Sequence, residues 1–112
     1  MKLNIILLLI AIGMIHQQPA YSAGKDDTRN AELKSYDNDL NALYKKIMSQ
    51  LKEKDKTNLR QAQRAWIKMR DSDCQWAFVD NRDCLIDRTI NRIEELSKTW
   101  FYTKEGQYIN NE

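Results

Sequence analysis

Leu59-Arg60-Gln61-Ala62-Gln63-Arg64-Ala65-Trp66-Ile67-Lys68-Met69-Arg70-Asp71-Ser72-Asp73-Cys74 is the stretch on which the fold turns. On a wheel advancing about 100° per residue, Leu59, Ala62, Trp66 and Met69 gather within about 80° of one another, the signature of an amphipathic helix. Arg60, Arg64 and Lys68 step by fours across the opposite side. Ile67 falls beside that basic stripe. Two accounts fit it. A middle helix with two neighbours needs a wide apolar arc, and a binding surface shows an apolar contact inside a basic rim. This helix, expected over about residues 56–78, is read as the centre of a small bundle.

The flanking sequence supports an all-α fold. Between Lys25 and Glu105 there is no glycine and no proline, so the usual residues of hairpin turns are missing. Upstream, Leu33, Tyr36, Leu40, Leu43, Tyr44, Ile47, Met48 and Leu51 recur at threes and fours, predicting a first helix over about 30–52. Residues 52–55 form the corner, with Asp55 expected to cap the second helix. Downstream, residues 79–83 form another corner. A third helix is expected over about 84–101, with Ile86, Ile90, Ile93, Leu96 and Trp100 as its buried stripe. Trp66 and Trp100 are assigned to the core, whereas Trp76 and Phe78 fit either core or exposed anchors. Residues 103–112 are polar and without period, and are expected to be a flexible tail. The architecture is thus a three-helix bundle of antiparallel hairpins.

The first residues have a different character. Lys2 precedes an apolar run from Leu3 to Ile15, too short to span a bilayer but of signal-peptide length. Ala20 and Ser22 supply small residues at the cleavage-determining positions, so a signal peptide over 1–22 and a helical domain over 23–102 are expected. The mature chain would be periplasmic or secreted, with no stable membrane insertion. In an exported chain, Cys74 and Cys84 are most simply one disulfide, which at this separation contributes about 2–3 kcal/mol. Cys84 projects about 160° from the predicted stripe of its helix, which predicts a later helix start or a local bend.

Composition excludes several functions. Cleavage would remove Lys2, one of 18 basic side chains, leaving them one ahead of the 16 acidic ones. That balance is too even for general binding of nucleic acid. It would also remove His16, the only histidine. Without histidine there is no Ser-His-Asp or Cys-His chemistry, and zinc loses its commonest ligand. Asp71 and Asp73 open like a calcium loop, but Trp76 and Arg82 stand where glycine and the bidentate glutamate belong. Glu94 and Glu95 point to different sides of a helix and do not form an acid–base pair. No metal and no cofactor are implied, and a hydrolase is the weakest reading. These residues describe a stapled helical domain that acts by binding a protein partner.

The assembled residues resemble the N-terminal domain of the LprI lysozyme-inhibitor family. The likeness is carried by Leu40-Asn41-Ala42-Leu43-Tyr44 on the first helix. It continues through Leu59-Arg60-x-Ala62-Gln63-Arg64-Ala65-Trp66-Ile67-x-x-Arg70-Asp71-x-x-Cys74 on the second, and through Cys84, Thr89, Arg92 and Leu96 on the third. It implies a small exported protein that inhibits a lysozyme-type muramidase. Leu40, Asn41, Tyr44, Trp66, Arg70 and Asp71 read as scaffold. The resemblance supplies no inhibitory residues, so these are taken from chemistry. A muramidase cleft holds paired carboxylates, which a cationic side chain would engage. Arg82 on the disulfide corner is the first candidate, with Arg60, Arg64 and Lys68 as a second surface. The alternative is an immunity or envelope-stress protein directed at another toxin or envelope enzyme.

Overall fold

The computed structural model describes residues 27–112, so the expected signal peptide and its cleavage point lie outside the described residues. Three helices dominate: α1 (Arg29–Gln50), α2 (Glu53–Asp73) and α3 (Asn81–Lys98). A two-stranded antiparallel hairpin follows, β1 (Phe101–Tyr102) with β2 (Tyr108–Ile109). No described helix is long and apolar enough to cross a membrane.

The helices form where the apolar period places them, and their ends are set locally. Leu51, in extended conformation and buried, closes α1, and only Lys52 separates it from α2. Asp55 does not cap α2 as expected. It lies with Glu53 inside the first turn, where a carboxylate still favours the positive end of the helix dipole. Asp80 caps α3 by accepting a hydrogen bond from the Arg82 backbone N–H at 2.9 Å, so this helix starts three residues earlier than expected.

The centre of the bundle is α3, not α2. It packs on both other helices, most extensively on α1. The aliphatic core is Leu40, Ile47 and Leu51 from the α1 side with Leu96 from α3, joined by half-buried Leu43, Met48, Leu59, Trp66, Ile93 and Phe101. The sandwiched position gives α3 two packing faces, which accounts for Cys84. It is fully buried on the α2 face while Leu96 is buried on the α1 face, without the later start or bend anticipated.

Against α3, α2 turns a different face from the one hydropathy predicts. Its sheltered positions are Leu59, Gln63, Trp66 and Arg70, whereas Ala62 and Met69 are exposed, Met69 by 57%. The helix is rotated by about 50°, half a residue, from the predicted orientation. Polar contacts explain it. Arg92, buried on α3, donates from Nε to Gln63 Oε1 at 3.1 Å and from Nη1 to Glu95 at 2.6 Å. Arg70 donates to Thr89 Oγ1 at 3.3 Å and to Asp37 of α1 at 3.2 Å. The Trp66 ring receives both guanidiniums, at 5.1 Å from Arg70 and 5.8 Å from Arg92, a double cation–π contact.

The residues expected as a flexible tail instead contain the hairpin. Gly106, at φ 85°, makes the turn and donates its N–H to the Thr103 carbonyl. Tyr108 stacks against Tyr102 and Trp100 at 4.8 and 5.2 Å. Lys104 N–H donates to the Gln50 carbonyl and Asn111 N–H to the Ser97 carbonyl, pinning the hairpin to α1 and α3. Trp100 therefore leaves the core, 55% exposed, and Ile90 is exposed on α3 as well.

Candidate partner-binding surface

The corner between α2 and α3 runs from Cys74 to Asp80. Cys74 and Cys84 are joined, with Cα atoms 5.4 Å apart. At its base lies a cage of charges that ties the start of α1 to the start of α3. Arg82 donates to Asp80 at 2.8 Å, to Asp27 at 2.9 Å and to Asn30 at 3.2 Å. Arg29 reaches Asp83 at 2.9 Å, Asp27 at 3.5 Å and Asp80 at 3.7 Å. The Arg82 side chain and then its backbone N–H hold the Asp80 carboxyl down to about 2. The Arg29 backbone N–H and then Arg82 lower that of Asp27.

Above this base the loop presents apolar side chains to solvent. Trp76 is 79% exposed, Phe78 53% and Val79 fully. Phe78 sits at φ 68°, a left-handed conformation that costs a bulky residue roughly 1–3 kcal/mol and persists only where the surroundings enforce it. The disulfide closes the loop on one side and the ion cage on the other. The arrangement is a convex, preorganised tip with an aromatic load.

The sequence-predicted cations fall in two settings. Arg82 is a brace, because its donors are taken by Asp27, Asp80 and Asn30 within the fold. It is not offered outward as the inserted cation anticipated from sequence. Arg60, Arg64 and Lys68 are exposed along α2, and Ile67 beside them is 40% exposed, so it is not buried against a neighbouring helix as the wide-arc account expected. No group of histidine, cysteine, aspartate or glutamate among the described residues could hold a metal ion.

The scaffold that carries these residues is a disulfide-stapled set of three helices. A family model described as lysozyme inhibitor LprI matches residues 17–96. The chain belongs to the LprI family. Among curated proteins and solved structures nothing matches it. The match ends at Leu96, before the hairpin, so residues 97–112 stand outside the LprI region. Within it, the motif residues expected as scaffold divide between the packed interior and an open groove. Leu40 is in the core, Trp66 and Arg70 form the α2–α3 seam, Asp71 pairs with Arg70 at 3.0 Å, and Asn41 and Tyr44 line the neighbouring α1–α2 groove. Sequence reasoning left Trp76 and Phe78 undecided and passed over Val79. The one available signal was three large apolar residues packed between two cysteines in a segment too short to bury them.

Proposed function

We propose that this exported, non-enzymatic protein binds a lysozyme-type muramidase in the periplasm or medium and blocks its cleft with the disulfide corner. The observation that supports this reading is the exposed Trp76–Phe78–Val79 tip, held by Cys74–Cys84 and by the Arg29–Arg82 ion cage, in a member of a lysozyme-inhibitor family. A glycan cleft is concave, and a convex tip can enter it. Aromatic anchors dominate interface energies when they fill such pockets. Ordering the loop beforehand avoids the entropy cost of immobilising it on binding, typically about 0.5–1.5 kcal/mol per side chain. Arg82 acts here through position, keeping the tip fixed, while cleft carboxylates meet apolar groups that shut out water and substrate.

The test is turnover of cell-wall substrate by a panel of lysozyme classes, with oxidised mature protein in micromolar excess. At least one class is expected to lose activity. Arg82→Glu, which opens the cage, should weaken inhibition and lower Tm together. Unchanged turnover across the panel would defeat the proposal, as would any hydrolysis of the substrate by the protein itself.

A further inference from the structure

A second surface has the opposite shape and the opposite chemistry. Between α1 and α2 lies a groove of about 320 Å³ lined by Asn41, Tyr44, Arg60, Gln63, Arg64 and Ile67. Its lining contains no carboxylate. Arg29, Arg70, Arg82, Arg88 and Arg92 each reach an acidic side chain within the fold. Arg60 and Arg64 reach none among the described residues, and Arg60 acts on Glu53 only at a distance. The two arginines stand one helical turn apart with Lys68 one turn further on. Like charges at this spacing work against a helix. The fold therefore carries that cost where two guanidiniums share a concavity with no carboxylate in its lining.

The remaining lining is neutral and suited to hydrogen bonding. Gln63 gives its carbonyl oxygen to Arg92, leaving its amide N–H₂ to donate to no protein group. Asn41 adds an amide and Tyr44 a phenol, and exposed Ile67 adds an aliphatic surface. A concave site cannot reach carboxylates recessed in another protein's cleft. Its complement is a protruding or extended anion that also offers amide and ring surfaces. We propose that this groove binds the carboxylated, N-acetylated amino-sugar units of a cell-wall glycan, with the carboxylate held between Arg60 and Arg64. Asn41 and Gln63 meet the acetamido and hydroxyl groups, and Tyr44 and Ile67 take the apolar face of the ring. The inference rests on the inhibitor reading only for where the glycan is met. An inhibitor that holds the substrate polymer is concentrated where the muramidase works.

The experiment is titration of the full mature, oxidised protein by calorimetry and NMR. The probes are N-acetylglucosaminyl-N-acetylmuramic acid, its neutral counterpart di-N-acetylchitobiose, and an octaglutamate peptide. The muramyl disaccharide is expected to bind at least tenfold more tightly than chitobiose and to weaken as salt screens the arginines. Its resonance shifts should map to Asn41, Tyr44 and Ile67. Arg60→Gln with Arg64→Gln should lose at least tenfold in affinity with Tm not lowered, and should still inhibit turnover of a small soluble muramidase substrate. Equal binding of chitobiose, undiminished binding by the double variant, or tighter binding of octaglutamate would each overturn the proposal, the last in favour of an acidic protein segment. Loss of inhibition with sugar binding intact would defeat the inhibitor reading alone.

Discussion

The two flanks of α3 are built on different principles. Toward α1, the contact is aliphatic along its length, through Leu40, Ile47, Leu51 and Leu96, and is closed at one end by the Arg29–Arg82 ion cage. Toward α2, it is a seam of guanidinium, indole, amide and hydroxyl groups, closed by the Cys74–Cys84 bond. Apolar burial is non-directional and tolerates rotation of a helix about its axis. A polar seam does not, because each donor needs its acceptor at a set angle. Directional pairing is what fixes the orientation of α2, and that orientation turns Arg60, Arg64 and Ile67 outward.

The contrast can be broken most severely on the aliphatic side. Leu96→Ala should cost about 2–5 kcal/mol, the range for truncating a buried leucine, and lower the midpoint of chemical denaturation for the whole domain. Met69→Ala, on the outward face of α2, should stay within about 0.5 kcal/mol. Had α2 packed as its hydropathy suggests, the two substitutions would rank together.

On the other flank, Cys74→Ser with Cys84→Ser should cost about 2–3 kcal/mol through the released loop entropy. Amide exchange should accelerate in α2 and the corner more than in α1 and the body of α3. Uniform acceleration would mean that the seam alone holds α2.

The smallest effect belongs to the ion cage. Asp80 and Asp27 titrate below their unfolded values because Arg82 and backbone N–H groups stabilise the carboxylates. The Asp80 contribution is full above the unfolded value near 3.8 and is lost as pH falls through about 2, and the Asp27 contribution is likewise lost as pH falls. Asp80→Asn keeps an acceptor for the α3 cap and removes the charge. Its denaturation midpoint should fall less than the wild type's between pH 4.5 and roughly pH 2. Equal acid sensitivity would place the carboxylates that matter elsewhere.

Much of this was legible in the residues, and the rest was hidden for physical reasons. The periods of α1 and α3 located Leu40, Ile47 and Leu96, and the cysteine pair located the clasp. The face of α2 was misread because Gln63 and Arg70 are polar and do not count toward a hydropathic stripe, and only their partners on α3 and α1 show that they turn inward. The hairpin was missed because its strands are two residues each, too short for an alternation to register. Arg82 was recognisable as a charge on the corner, but its partner Asp27 lies far away in sequence, so its bracing role could not be read there. The exposed tip needed the loop's backbone before its side chains could be placed.

The most direct measurement is the inhibition constant of the oxidised mature protein against the lysozyme class it blocks, compared with that of Trp76→Ala combined with Phe78→Ala. A tip that fills the cleft predicts a rise of roughly thirtyfold or more, the equivalent of about 2 kcal/mol for a buried aromatic anchor, with Tm unchanged. Equal inhibition by the two proteins would contradict it and move the contact off the disulfide corner.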